Sequence, residues 1–143
     1  MRIVLLLFWL GTVLLAQGSK WSHDYQKALQ KAKKEHKPVY ILIVSDTCRW
    51  CKKFEEVTLN DPKIKERINK EFVTVILSRD KDEIPKYFKV SPIPRHYFVN
   101  CKGNILFSSF GYRDADIFDF FMLTAHIKYE KQKERDNETS TNK

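Results

Sequence analysis

Apolar and polar positions along the chain follow patterns that predict helices and strands in turn. Residues 24–36 place apolar side chains at helical spacing, with lysines on the opposite face, and predict an amphipathic helix that Pro38 ends. Residues 39–44 and 72–77 are almost entirely apolar and predict strands buried on both faces. The further predicted elements are helices at 48–59, 62–70, 82–88 and 114–129 and strands at 95–100 and 104–109.

The order of these elements predicts the fold class. Two buried strands separated by helices are typical of a parallel βαβ unit. The last two strands are joined by residues 100–103, which predict a hairpin turn and hence an antiparallel pair. The sequence therefore predicts an α/β fold with a mixed central sheet and helices on both faces.

The first eighteen residues form a different kind of segment. Arg2 precedes an apolar run, Ile3–Ala16, which as a helix spans about 21 Å, whereas a bilayer core needs about 30 Å. Ala16 and Gly18, three positions and one position before Ser19, are small residues that fit a signal-peptide cleavage site. Residues 1–18 therefore predict a secretory signal peptide, with an uncleaved membrane anchor as the alternative.

Length and charge narrow the class of protein. A chain of 143 residues indicates one domain, predicted at residues 19–129 and followed by a charged flexible tail at residues 130–143. The formal net charge is +8, and the lysines are spread along helices rather than grouped with aromatic side chains. Export would also separate the protein from nucleic acid, so we expect no nucleic-acid partner and a monomer. The sequence lacks the glycine-rich motifs that bind dinucleotides and phosphates.

Cys48 and Cys51 form a C-x-x-C motif where a buried strand gives way to a helix. In a first helical turn the two side chains lie on one face, and the helix N-terminus favours a thiolate, the form that attacks a disulfide. Cys48 lies nearer the helix end, so we assign it as the attacking thiol and Cys51 as the thiol that resolves the mixed disulfide. Arg49 favours the Cys48 thiolate, and Asp46 opposes it.

The same cysteine pair has three alternative interpretations. A purely structural disulfide would close a four-residue ring, worth about 2 kcal/mol against about 4 kcal/mol for a fifty-residue loop. A structural zinc site needs four ligands, and the sequence has no second cysteine pair, so we expect no metal. Two thiolates can hold copper(I), so a periplasmic copper chaperone is the alternative from another functional class.

Several segments together resemble the thioredoxin superfamily. More narrowly, the chain is similar to exported thioredoxin-related proteins of the SoxW type and to the C-terminal domain of the disulfide reductase DsbD. The similarity covers about residues 20–127. The matching positions are Lys37-Pro38, Cys48-Arg49-Trp50-Cys51-Lys52, Phe54-Glu55, Thr58 to Pro62, Val90 to Pro94, Gly103 and Gly111-Tyr112.

The resemblance implies a thioredoxin-like fold and a substrate-binding loop. In the superfamily the peptide bond equivalent to Ile93–Pro94 is cis, and its loop lies against the cysteine pair; Pro92 is the weaker cis candidate. The backbone of Ile93 would then pair with an extended substrate segment. Trp50, exposed beside the thiols, would also contact the substrate.

Some positions depart from the superfamily pattern. The buried acid six residues before the first cysteine is replaced by Leu42, so the resolving thiol needs another proton acceptor, either water or Glu55. Arg49-Trp50 replaces Gly-Pro, and Arg95 follows the cis-proline position where Thr is usual. These departures bear on the redox potential and on the choice of substrate.

The residues and the resemblance together predict an exported, periplasmic thiol–disulfide oxidoreductase. Because relatives of this type mostly act as reductases, we expect a reductase of protein disulfides that needs no cofactor. The expected partners are disulfide-containing exported proteins, including apocytochromes c, and a membrane electron donor of the DsbD or CcdA type. A disulfide oxidase is the alternative within the class, although the helical domain usual in oxidases has no room here.

Two further side chains receive structural interpretations. Cys101 lies in the predicted hairpin turn at the far end of a strand, about 17 Å from the cysteine pair, and is expected to be a bystander thiol. His96 is expected to pack within its strand rather than to act as an acid or base.

Overall fold

A four-stranded sheet forms the centre of the computed structural model, which describes residues 21–141. The predicted signal peptide, residues 1–18, lies outside the described residues. The strands are β1 (Val39–Val44), β2 (Val73–Ser78), β3 (Arg95–Val99) and β4 (Ile105–Phe110). The helices are α1 (Tyr25–Glu35), α2 (Arg49–Lys53), α3 (Pro62–Glu71) and α4 (Ala115–Thr141), with a π-helical segment, Phe54–Thr58, directly after α2.

The strand order is β2-β1-β3-β4, which places β1 inside the sheet. β1 runs parallel to β2, with Val39 opposite Val73, and antiparallel to β3, with Ile43 opposite Arg95. β3 and β4 form the predicted antiparallel hairpin. The predicted α/β fold with a mixed central sheet is confirmed.

Side chains of β1 enter two apolar layers, because successive residues of a strand point to opposite faces. Ile41 and Ile43 pack in the layer that includes Ala28 and Ala32 of α1. Leu42, with Tyr40, packs in the layer that includes residues of α3 and α4. Burying one such aliphatic side chain stabilises the fold by about 1.5–3 kcal/mol. β1 therefore anchors both layers and fixes the start of the loop that leads to the cysteine motif.

The short helix predicted at residues 82–88 does not form; the segment consists of turns and irregular backbone. Pro85 disfavours helical backbone at the residue before it. The Asp82 carboxylate accepts a hydrogen bond from Ser78 N at 2.6 Å, and Phe88 N donates to Pro85 O at 3.0 Å. The segment still contributes Phe88 to the core layer under α1.

The helix predicted after the cysteine motif changes its winding partway. From Phe54 to Thr58 the backbone is π-helical, and Leu59 N donates to Phe54 O at 3.0 Å. Phe54 is fully buried, and Thr58 Oγ1 donates to Arg113 O at 2.6 Å. The helical segment that follows the cysteines is thereby tied to the chain that leads into α4.

Helix α4 runs past the predicted end at residue 129 and through most of the predicted charged tail, residues 130–143. The hairpin turn supports it: Asn100 Nδ2 donates to Gln132 Oε1 at 3.0 Å, and Lys102 Nζ lies 2.8 Å from Asp136 Oδ2. The segment is also rich in Lys, Glu, Gln and Arg, which favour helix. Within the part of the chain that the structure describes, no helix is long and apolar enough to cross a membrane.

Candidate active site

The cysteine motif lies at the end of the sheet where β1 gives way to α2. Cys48 and Cys51 are joined in a disulfide, with their Cα atoms 5.2 Å apart. Cys48 caps α2 and is partly exposed, whereas Cys51, one turn further on, is only 2% exposed. An approaching partner therefore meets Cys48 first.

One backbone N–H group is directed at the sulfur of Cys48. Cys51 N donates to Cys48 Sγ at 3.1 Å. After reduction the same bond would stabilise negative charge on this sulfur, because charge-assisted hydrogen bonds are stronger than neutral ones. Arg49 and Lys52 are exposed on α2, and their positive charge acts in the same direction.

The acid that was expected to oppose the thiolate is itself paired with a lysine. Asp46 Oδ2 lies 2.7 Å from Lys81 Nζ, and this contact raises the pKa of Lys81. The backbone N–H of Asp46 has a structural role, because it donates a hydrogen bond to Asp80 Oδ2 at 3.0 Å. Lys81 therefore offsets part of the negative charge of Asp46 beside Cys48, and Asp80 lies against the same loop.

Glu55 shares a cleft of about 450 Å³ with both cysteines. It is half-buried, and burial raises the pKa of its carboxyl group. Leu42, at the position of the superfamily's buried acid, is fully buried. The other carboxyl group that lines the cleft, Asp46, is paired with Lys81. Glu55 is therefore the carboxylate best placed to take a proton from Cys51.

The loop before β3 contains the positions expected to bind substrate. The peptide bonds that precede Pro92 and Pro94 are both cis, whereas the sequence singled out Pro94. Because Arg95 lies opposite Ile43 near the end of β1, Pro94 lies at the same end of the sheet as the disulfide. Pro94 is buried, and its carbonyl oxygen accepts a hydrogen bond from Gly111 N at 2.7 Å.

Trp50 is 48% exposed, as expected from its place in the motif. Its ring centre lies 5.9 Å from that of Tyr112, and Lys53 Nζ lies 5.1 Å from the Trp50 ring centre and 4.8 Å from the Tyr112 ring centre. The sequence analysis did not anticipate this group, although Tyr112 stands at a position matched to the superfamily. Ile93 is partly buried and packs against the core layer under α1.

His96 is fully buried, in agreement with its predicted packing role. Its Nδ1 lies 2.8 Å from Tyr40 Oη, and its Nε2 lies 2.9 Å from Gly111 O. Burial lowers the pKa of His96 to about 4, and the positive charges of Arg113 and Arg95 act in the same direction. His96 is therefore neutral at neutral pH and links β1, β3 and the turn after β4.

Cys101 is a free thiol, partly buried, in the β3–β4 turn. Since β3 runs antiparallel to β1, this turn lies at the opposite end of the sheet from the disulfide. Over residues 21–141, no three side chains of His, Cys, Asp or Glu are grouped so that they could hold a metal ion.

Comparisons with known proteins place the chain in a family. A family model described as Thioredox_DsbH, protein of unknown function, DUF255, matches residues 14–98. Spermatogenesis-associated protein 20 of Rattus norvegicus is 38% identical over 70 residues, which are 49% of this chain and 9% of that protein. The chain thus spans less than a tenth of the length of the curated relatives it matches.

Solved structures share the fold. A thioredoxin from Thermus thermophilus has a TM-score of 0.66 and 21% identity, covering 78% of this chain and 90% of its own. A DsbH oxidoreductase has a TM-score of 0.61 and 21% identity, covering 74% of this chain and 83% of its own. The reduced DsbD C-terminal domain of Neisseria meningitidis has a TM-score of 0.53 and 26% identity, covering 74% of this chain and 91% of its own.

The thioredoxin-like fold carries a C-x-x-C disulfide at the start of a helix, where the helix N-terminus favours the thiolate form of a cysteine. The predicted membership of the thioredoxin superfamily is confirmed. Because the family model matches more than half of the residues, the chain belongs to the Thioredox_DsbH (DUF255) family within that superfamily.

Proposed function

We propose that the protein is an exported reductase of protein disulfides. The observation that carries the proposal is the disulfide itself: Cys48 is accessible and receives the Cys51 N–H bond, while Cys51 is buried one turn behind it. This arrangement gives one thiol that attacks a partner and a second that is held back to release it.

The exchange proceeds in two steps. In the reduced protein the Cys48 thiolate attacks one sulfur of a partner disulfide, which forms a mixed disulfide and expels the partner's other sulfur as a thiolate that takes a proton from water. The Cys51 thiol then loses its proton to Glu55, and its thiolate attacks Cys48 Sγ. The Cys48–Cys51 disulfide forms and the partner's second sulfur leaves as a thiolate that takes a proton from water or from Glu55, so the partner becomes a dithiol that has received two electrons.

The loop around Pro94 supports recognition of the partner chain. Because the loop lies at the same end of the sheet as the disulfide, the backbone of Ile93 can pair with an extended partner segment, as in strand addition. Trp50, inside the cysteine motif, offers an exposed ring to the same partner. We assign substrate binding to Trp50, Ile93 and Pro94, and tuning of the thiolate to Arg49 and Asp46.

The apolar segment at residues 1–18 supports a periplasmic location, since its layout is that of a signal peptide. A periplasmic reductase must be re-reduced there, so we assign its electrons to a membrane donor of the DsbD or CcdA type. Its substrates would be oxidised exported proteins, apocytochromes c among them, and we expect it to act as a monomer. Fractionation of cells expressing the full chain should recover it with periplasmic markers; recovery with cytoplasmic markers contradicts this location.

The reductase assignment is tested by the reduction potential of the Cys48–Cys51 pair, measured by equilibration with glutathione. We expect a value near thioredoxin's, about −270 mV, as suits a reductase. A value near that of DsbA, about −120 mV, would instead make the protein an oxidase. The same protein should catalyse insulin reduction by dithiothreitol.

A further inference from the structure

A group of positively charged and aromatic side chains borders the disulfide, and we propose that it selects partner disulfides flanked by acidic residues. The inference rests on the proposed exchange reaction and names the class of partner for it. We call this surface the cation–aromatic ridge. It consists of Arg49, Trp50, Lys53, Arg95, Phe110 and Tyr112.

The first part of the ridge is built on α2, next to Cys48. Lys53 Nζ lies 5.1 Å from the ring centre of Trp50 and 4.8 Å from that of Tyr112. The guanidinium carbon of Arg49 lies 5.7 Å from the Trp50 ring centre. Aromatic faces attract cations, so these rings hold both charges on the surface beside α2.

The second part lies at the same end of the sheet, where β3 begins, but on the face that carries Tyr97 and α1, whereas Tyr112 packs with the opposite layer. Arg95 directly follows Pro94 and lies opposite Phe110 of β4 in the strand pairing. Its guanidinium carbon lies 5.6 Å from the Phe110 ring centre and 5.3 Å from the Tyr97 ring centre. Phe110 is 50% exposed on an edge strand, so its ring is available to a partner.

The charge of the ridge is not compensated. Among the ion pairs of residues 21–141, none includes Arg49, Lys53 or Arg95. By contrast, Asp46, the acid closest to Cys48 in sequence, is paired with Lys81 at 2.7 Å. The sheet end that carries the disulfide therefore presents three free positive charges, each beside an exposed or partly exposed ring.

The complementary partner is an extended segment with carboxylates next to its cystine and apolar side chains between them. Its backbone can pair with the loop at Ile93, its apolar side chains can cover Trp50 and Phe110, and its carboxylates can meet the cations. Such charge complementarity speeds encounter and suppresses partners of like charge. The same three cations would repel basic partners and slow their association.

Two synthetic peptides test the proposal. Each carries one internal disulfide in the same apolar frame, flanked by Glu in one peptide and by Lys in the other. With the purified, reduced protein at low salt, we expect the Glu peptide to be reduced about tenfold faster, with most of the difference lost at about 0.5 M NaCl because salt screens exposed charges. Equal rates for the two peptides at low salt would overturn the proposal. Reduction of neither peptide would instead overturn the proposed reductase function.

A charge reversal on the ridge gives a second readout. Lys53→Glu should slow reduction of the Glu peptide by about tenfold and accelerate that of the Lys peptide. The matched control is Lys33→Glu, which makes the same change in net charge on an exposed part of α1 near the opposite end of the sheet. Identical effects of the two substitutions would mean that overall charge, and not the ridge, sets the preference. If Lys53→Glu folds poorly, Lys53→Gln compared with Lys33→Gln makes the same test with a smaller change in charge.

Discussion

At the scale of single residues, the two cysteines of the pair differ in their exposure to solvent. Cys48 meets the partner, receives the N–H of Cys51 and lies next to Arg49, while the opposing charge of Asp46 is partly offset by Lys81. Leu42 stands where the superfamily has a buried acid. The proton of Cys51 therefore passes to Glu55, a carboxylate at the edge of the cleft.

Replacing Glu55 by Gln should slow the release of the partner from the mixed disulfide. A positioned proton acceptor typically contributes a hundredfold or more, and we expect a loss of at least about tenfold because water can partly substitute. Burial raises the pKa of Glu55, so its carboxylate form, and with it the rate of release, should increase with pH above the ordinary range for Glu.

Stopped-flow fluorescence of Trp50 can follow that release as a function of pH. Glu66→Gln, which alters an exposed carboxylate on α3, is the control and should retain the rate and the pH dependence. A Glu55→Gln protein with the unaltered rate and pH profile would assign the proton transfer to water.

His96 should make stability depend on pH. Its pKa is lowered by burial from 6.5 to about 4, so the unfolded chain binds a proton before the folded protein does. Between these values the free energy of unfolding should fall as the pH falls, by about 3 kcal/mol in full. Urea denaturation at pH 7 and pH 4.5 measures the change. His96→Gln should be less stable at pH 7 but lose less on acidification; an equal loss in both proteins would assign the effect to other groups.

Motif spacing sufficed to predict the cysteine pair, the exposure of Trp50 and the packing of His96, because these depend on local sequence. The contacts of His96 with Tyr40 and Gly111 join distant segments and leave no periodic signal. The same holds for Lys53 between Trp50 and Tyr112. Such partners are set by the strand register, which the sequence pattern does not specify.

At the scale of elements, the strands and the first helix were predictable because their apolar periodicity is strong. The segment at 82–88 was not, since Pro85 and the Asp82 side chain replace helical hydrogen bonds with local turns. The length of α4 was missed for the opposite reason. Its last turns have no apolar stripe, and polar contacts to Asn100 and Lys102 hold them.

Deleting residues 131–143 should therefore affect stability and leave the chemistry intact. The deletion removes the hydrogen bond between Asn100 and Gln132, a loss of about 1 kcal/mol in the free energy of unfolding. Gln132→Ala in the full chain should give a loss of the same order, since it breaks the same bond. Chemical denaturation measures both, and insulin reduction should stay unchanged; a truncated protein with impaired reduction would show that the end of α4 supports the active site.

At the scale of the whole molecule, the two ends of the sheet differ. One end carries the disulfide, the Pro94 loop and the cation–aromatic ridge, because β1 ends and β3 begins there. The other end carries the β3–β4 turn with Cys101, which is separated from the disulfide by the length of β3. The protein thus keeps its reactive pair and its third thiol apart.

Replacement of Cys101 by Ser should consequently leave both activity and oligomeric state unchanged. Insulin reduction and size-exclusion chromatography under oxidising conditions provide the two measurements, with the unaltered protein for comparison. A disulfide-linked dimer that disappears in Cys101→Ser would give this thiol an intermolecular role and would contradict the expected monomer.

The division of labour between Cys48 and Cys51 is tested most directly by trapping the mixed disulfide. Reduced Cys51→Ser and reduced Cys48→Ser are each mixed with a peptide disulfide, and the covalent adduct is mapped by mass spectrometry. We expect a stable adduct on Cys48 in Cys51→Ser and none in Cys48→Ser. An adduct on Cys51 in Cys48→Ser, formed as fast as that on Cys48, or no adduct on Cys48 in Cys51→Ser, would contradict the account.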